Sequence, residues 1–355
     1  MRQMMLLMCG ALALCAHSLT SPALTAEPET VDSLTDARLL LARRELTRDA
    51  KGVFILAMET KLEKHLDWVG DMQKGIPTAV GSLSNLERNY RVLQKNTAQL
   101  DQQFNVLSAQ YLNAQGAQKN QVSAMLKEVT TKRSEARKQL AGMPAQLVTH
   151  EAAVGAARKS LIDGILQGLK QVTEVEAAYA KLKKDPLVDK SLKMISKAEK
   201  EVTLGPSAGF QSYGEKLKKM DDQLLVREEF PLEEDGKTLV AEIDINGKKT
   251  KFQVHPQTRA TQLSESVAKQ LGVVVPPTAP KVNFQVSKDE KLSVPEVEIE
   301  SMKLATLKTS VRAVVLPDSK LSTLPTVGAN FFAGRVFQID AKNKKLKITR
   351  LAKES

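Results

Sequence analysis

Phe252 to Val273 reads FQVHPQTRATQLSESVAKQLGV. An apolar start gives way to a proline-containing turn, then to Leu263, Val267 and Leu271, spaced four apart on one side of a helix. The segment predicts a strand, a turn and a short amphipathic helix. Outward from it the sequence changes character. Past Leu225 the hydrophobic period is near two and β-branched residues take over, whereas before Leu224 the period is near 3.6. That switch predicts an α + β multidomain protein, with a helical region over 27–224 and a β domain over 225–355.

In the β part the pattern predicts strands at Glu229 to Glu233, Thr238 to Ile245, Thr250 to Val254, Val282 to Val286, Val294 to Met302, Thr309 to Leu316, Val336 to Asp340 and Leu346 to Arg350. Asp235-Gly236 and Asn246-Gly247 are hairpin turns by composition, and Asp289-Glu290 tips another. Six to eight short strands with one helix, Ser264 to Leu271, make a small closed β domain.

Two stretches carry a resemblance. In the first, Leu263, Ser264, Ala268, Leu271 and Gly272 follow an apolar strand and a turn. In the second, Leu324-Pro325-Thr326-Val327-Gly328-Ala329-Asn330-Phe331-Phe332 is followed by Val336-Phe337-Gln338-Ile339-Asp340 and by a lysine-rich strand ending Lys344-Lys345-Leu346-Lys347-Ile348. Together they resemble the retropepsin-like aspartic proteases, including the secreted bacterial aspartyl protease family, over roughly Leu225 to Arg350. The resemblance implies a small β-barrel in which Leu263, Gly328 and Asn330 are scaffold positions and Gly328 packs behind the active-site loop. It also implies that the family's catalytic Asp falls on His255, its Thr/Ser on Pro256 and its Gly on Gln257.

Aspartic proteolysis needs two carboxylates close enough to share one proton. Neither Asp-Thr-Gly nor Asp-Ser-Gly occurs in the chain. Two imidazoles on a dimer axis repel when both are charged and do not share a proton as a carboxylate dyad does. Pro256 lacks the hydroxyl and the backbone donor of Thr/Ser, and Gln257 lacks the conformational freedom of Gly. The resemblance therefore implies a scaffold without its catalyst. Asp244 and Asp340 are the acids considered as substitutes; the first lies at a strand end, and the second matches a structural aspartate of the family.

Residues 1–26 have one Arg, an apolar run from Met4 to Ala16 and small residues around Ala23 and Ala26, the form of a secretory signal peptide. Cys9 and Cys15 lie inside it, so no disulfide, thiol catalysis or cysteine-ligated metal is expected after cleavage; lipid attachment at one of them is the competing reading. With 52 Lys and Arg against 41 Asp and Glu the formal charge is +11. Solvated Lys-rich helix faces explain it, or adhesion to an anionic envelope surface. Aromatics are 4% and form no stacking platform, which argues against nucleic-acid binding.

The helical region is rich in Ala, Leu, Lys, Gln and Glu. Leu83, Leu86, Tyr90, Leu93, Thr97, Leu100, Phe104, Leu107, Tyr111 and Ala114 form a heptad seam. With breaks at Gly75 to Pro77, Asn113 to Lys119, Gly142 to Pro144 and Asp185-Pro186, three to five long helices folding back as an elongated antiparallel coiled coil are expected. Gly155, Gly164 and Gly168 weaken their helix or permit close approach. His65 and His150 have no ligand partners at metal spacing, and Trp68 reads as a packing residue. Gly205-Pro206-Ser207-Ala208-Gly209 spells Gly-x-Ser-x-Gly, but with helical sequence on both sides it reads as an inter-helix loop rather than a nucleophile elbow.

No cofactor is expected. The reading is of an exported, secreted or periplasmic pseudoprotease that binds or scaffolds in the cell envelope, as a homodimer, as a heterodimer with an active relative, or on a peptide or protein ligand. The alternatives are an active aspartic endopeptidase using an unrecognised carboxylate and a purely structural coiled-coil envelope protein.

Overall fold

The computed structural model describes residues 30–199, 201–236, 238–255, 257–277, 279–287, 290–321 and 324–353. Residues 1–29, which include the expected signal peptide, and Pro256 and Asp289, the latter expected at a hairpin tip, lie outside them. Among the described residues the helices are α1 (Leu34–Arg43), α2 (Ala57–Asn113), α3 (Gly116–Leu182), α4 (Pro186–Ala198), α5 (Ala208–Leu224) and α6 (Glu265–Gln270). The strands are β1 (Leu46–Arg48), β2 (Val53–Leu56), β3 (Thr203–Leu204), β4 (Leu225–Pro231), β5 (Glu233–Asp235), β6 (Thr238–Ile245), β7 (Lys248–Val254), β8 (Thr261–Ser264), β9 (Lys281–Ser287), β10 (Glu290–Leu304), β11 (Leu307–Leu316), β12 (Thr326–Val327), β13 (Val336–Asp340) and β14 (Lys345–Leu351). A long helical region is thus followed by a β-rich C-terminal part.

Two compact units result. One combines the described residues up to Phe54 with Lys181–Leu204; the other combines Ile55–Ala180 with the chain from Gly205 onward. In the first unit Ser33 and Asp36 form a reciprocal capping box on α1, and Asp185 caps α4 beside a proline at its first turn. These helices pack on each other, burying Leu40, Leu41, Val188 and Ile195. β2 runs parallel to β3 through Val53↔Thr203 and Phe54↔Leu204, and Glu199 takes both Arg38 and Arg48.

In the second unit α2 and α3 run antiparallel. His65 Nε2 lies 2.7 Å from the carbonyl oxygen of Gly164. Further out, Asp101 accepts from Arg133 at 2.5 Å and Arg137 at 2.8 Å, and Lys119 sits 5.0 Å over the ring of Tyr111. The expected breaks at Gly75 to Pro77 and Gly142 to Pro144 are corrected: Pro77 and Pro144 are both inside helices, of 57 and 67 residues. A proline costs a helix interior about 3 kcal/mol. Both helices nevertheless continue through it. The break near Asn113 is real, with Gly116 at φ +53° beginning α3. The repeated glycines serve close approach: a Cβ on Gly164 would meet Trp68 at 2.7 Å, and one on Gly168 would meet Leu217 at 3.0 Å.

The eight-stranded sheet has the order β5-β6-β7-β12-β8-β11-β10-β9. β10 also pairs with β6 through Met302↔Ile245, which brings the sheet back on itself. Phe252, Leu263, Leu271, Ile243, Met302, Val327 and Phe331 fill its core. A three-stranded sheet, β13-β14-β4, continues from α5, and its Leu225 and Leu351 join Val69, Leu161, Ile162 and Ile165 of the helices in a second apolar cluster. Most predicted strands appear with longer ends. The strand expected at Glu229 to Glu233 is corrected to two, Leu225–Pro231 and Glu233–Asp235, and β8 and β12 were not predicted.

Candidate functional site

β12 lies between β7 and β8, parallel to the first (Thr326↔Gln253, Val327↔Val254) and antiparallel to the second (Thr326↔Gln262). The loop joining β7 to β8, residues 255–260, is therefore tethered across the end of β12. The His255 N–H donates to the Val327 carbonyl at 3.1 Å, the Thr258 N–H donates to the His255 carbonyl at 2.9 Å, and the Ala329 N–H donates to the Thr258 carbonyl at 2.7 Å. Three backbone bonds thus tie His255 and Thr258 to each other and to the β12 segment.

Gly328 has φ −92° and ψ 178°, which any residue adopts, so conformation does not demand glycine there. Space does. A Cβ would lie 2.5 Å from the Ala260 carbonyl oxygen and 2.8 Å from that of Thr258. Asn330 locks the other end: its Oδ1 accepts from the Thr261 N–H and hydroxyl, both at 2.9 Å, and its Nδ2 donates to the Arg312 carbonyl at 2.6 Å. Leu263 is fully buried in the main core.

At the loop itself His255 is half-buried, and its Nδ1 pairs with the Thr258 hydroxyl at 2.8 Å. Gln257 is exposed, and Pro256 lies outside the described residues. Asp244 does not come to this loop. It pairs in register with Lys249, six residues before His255 along β7, about 20 Å at strand rise, and its Oδ1 accepts from the Gly247 N–H at 2.8 Å in the hairpin turn. Asp340 belongs to the three-stranded sheet. Its carboxyl accepts from Asn343 and lies 3.3 Å from Lys347, and hydrogen bonds from Asn343, foremost, hold it below the usual carboxylate range.

Two polar features went unread in the sequence. Glu59, in the first turn of α2, is only 4% exposed. Its carboxylate accepts from the Tyr179 hydroxyl, from the Ser207 hydroxyl at 2.6 Å and from the Ser207 N–H at 3.4 Å, while the Tyr179 oxygen accepts from the Leu56 N–H at 2.8 Å. Burial, and then the Glu59 carboxylate, push the Tyr179 phenol above its ordinary value. Ser207, the serine of Gly-x-Ser-x-Gly, is thus an N-cap of α5 whose hydroxyl is held by a carboxylate. The expectation of helix on both sides is corrected, since the two-residue strand β3 precedes it. The signal for Glu59 was an acid in the first turn after the apolar Val53 to Leu56, a common dipole-favoured placement that does not disclose burial.

The second is a crevice of about 790 Å³ between α2, α3 and β10–β11, walled by Glu87, Glu151, Glu296, Glu298, Arg91 and Arg312. Glu151 meets Arg312 at 3.1 Å, yet burial raises its carboxyl above the ordinary value. Among the described residues no three His, Cys, Asp or Glu side chains are arranged to hold a metal ion, and no helix is long and apolar enough to cross a membrane.

By sequence the chain matches no protein family and no curated protein. Among solved structures it is similar to a retropepsin-like aspartic protease from Rickettsia conorii, at 15% identity and a TM-score of 0.28, over 36% of this chain and 94% of that one.

Proposed function

We propose that the β part is a degenerate retropepsin-like half-barrel and that the protein is a non-catalytic binding or scaffold protein, exported to the cell envelope. One observation carries the reading. The loop at His255 keeps a tightly built support, with Gly328 pressed beneath Ala260 and Asn330 tying Thr261, yet its side chains offer an imidazole bonded to a threonine hydroxyl where a carboxylate dyad would be needed. Neither Asp244 nor Asp340 substitutes, because each is engaged in its own turn. A braced loop without a carboxylate dyad is suited to holding a segment of another chain, not to hydrolysing it.

The test is incubation of the purified protein with a panel of unstructured peptides between pH 4 and 7. No cleavage above buffer is expected, and the pattern should not change on adding pepstatin. Pepstatin-sensitive cleavage would overturn the reading. Export is checked separately, by whether the amino terminus of protein recovered from cells begins after residue 26.

A further inference from the structure

From Asn96 to Gln118 the only charged side chain is Asp101, in a chain that is 26% charged overall. Asp101 is itself spent on Arg133 and Arg137 of α3. This stretch is the outer end of α2 and the turn into α3, and it is not shielded by other elements: Val106 is 51% exposed, Leu112 82% and Met125, on the facing helix, 48%. Of the seam residues here Thr97 and Ala114 are buried, whereas Leu100, Phe104, Leu107 and Tyr111 are only half-buried.

The inner end of the same helix pair supplies the comparison. There α5 and the strands β4 and β14 lie over the pair, and Leu62, Val69 and Leu161 drop to 2% exposure or less. Two helices alone cannot enclose a seam that broad, because each knob is covered on one side only. The outer end has the side chains of a helical layer and half of the layer. Between its helices runs an apolar groove of about 570 Å³ lined by Leu100, Val106, Leu107, Met125 and Val129.

We propose that a second copy of this chain covers that face, the two helical hairpins packing into a four-helix bundle. Charge selects the occupant. Two strongly cationic chains repel over most of their surfaces, and least where charged groups are few or balanced. The outer face is rimmed by Gln102, Gln103 and Gln110, and its Glu128 and Lys132 are paired with each other at 2.5 Å. Nucleic acid or an anionic surface would need a cationic face instead. The outer end of α2 is about 28 Å long and the pair about 20 Å wide, enough for the area of roughly 1,000 Å² that a specific interface requires.

Sedimentation of the full chain at rising concentration, to the order of 10⁻⁴ M, decides the matter. The protein is expected to dimerise. Val106→Lys with Met125→Lys should raise the dimer dissociation constant more than about a hundredfold, since each copy would bury unpaired charge, and the circular dichroism of the helices should not change. If that variant loses helicity, Val106→Gln with Met125→Gln, which keeps helix propensity, replaces it and must weaken the dimer. A chain that stays monomeric, or a dimer indifferent to the folded variants, overturns the proposal. Failure would leave the reading of the His255 loop untouched, because no residue of that loop is involved.

Discussion

Replacing Gly328 by alanine tests the support of the His255 loop directly. Its new Cβ would sit 2.5 Å from the Ala260 carbonyl oxygen, and ordinary contact begins at 3.4 Å, so the 258–260 backbone must retreat by about 0.9 Å. Backbone cannot swing aside as a side-chain tip does. A retreat of that size strains the Ala329–Thr258 and Thr258–His255 hydrogen bonds, each worth about 1 kcal/mol net, on top of about 1–3 kcal/mol of overpacking. The sum is about 3–5 kcal/mol, on the order of 10²- to 10⁴-fold in local opening. Hydrogen exchange followed by mass spectrometry on peptides covering 252–264 and 326–332 reads that opening. Gly70→Ala in α2, where nothing lies within 4 Å, is the control and should stabilise its helix by up to about 1 kcal/mol. Unchanged exchange in the Gly328→Ala loop would refute the claim that close approach, and not backbone conformation, holds glycine there.

Removing Glu59 as Glu59→Ala strands the Ser207 and Tyr179 donors and should cost about 2–4 kcal/mol by urea denaturation. Tyr179 gives an alkaline limb: its folded value lies above the unfolded one near 10, so its contribution is complete below about pH 10 and is lost as pH rises through the folded value. Tyr179→Phe should flatten that limb while losing an acceptor for Leu56. The opposite sign holds at Glu228, whose carboxyl is held below its ordinary value first by Arg350 and then, against the cost of burial, by Thr306. Its stabilisation is present above the unfolded carboxylate range and declines as pH falls through the folded value; in Arg350→Ala the acid limb should be shallower and the protein about 1–2 kcal/mol less stable at pH 7.

The sequence was most informative where local chemistry decides. Thr238 to Ile245 and Val336 to Asp340 have clean period-two patterns and form as read, and Asn246-Gly247 turns with both residues at positive φ. It was least informative where tertiary packing decides. Pro77 and Pro144 carry strong local break signals, yet both helices run through them. β12 is two residues long and exists only because β7 and β8 flank it, which no window of sequence can display. At the candidate site the turn after Val254 was readable, but the Thr258 hydroxyl bonded to the imidazole, and the burial of Glu59, depend on partners distant in sequence or on loop geometry. The seam from Leu83 to Ala114 was legible as a packing face; that its outer end would stay half-covered was not.

The pairing of Val53 with Thr203 closes a circuit around some 150 residues, most of them in one long helical hairpin. Its two ends are pinned together, so the arm between them has a length that is free to change. Removing one heptad from the outer part of α2 and the heptad opposite it in α3 would shorten the reach by about 10 Å while every residue at the pinned end keeps its neighbours. The hairpin's length is thus counted in heptads beyond the pin, and can be edited in register without touching it.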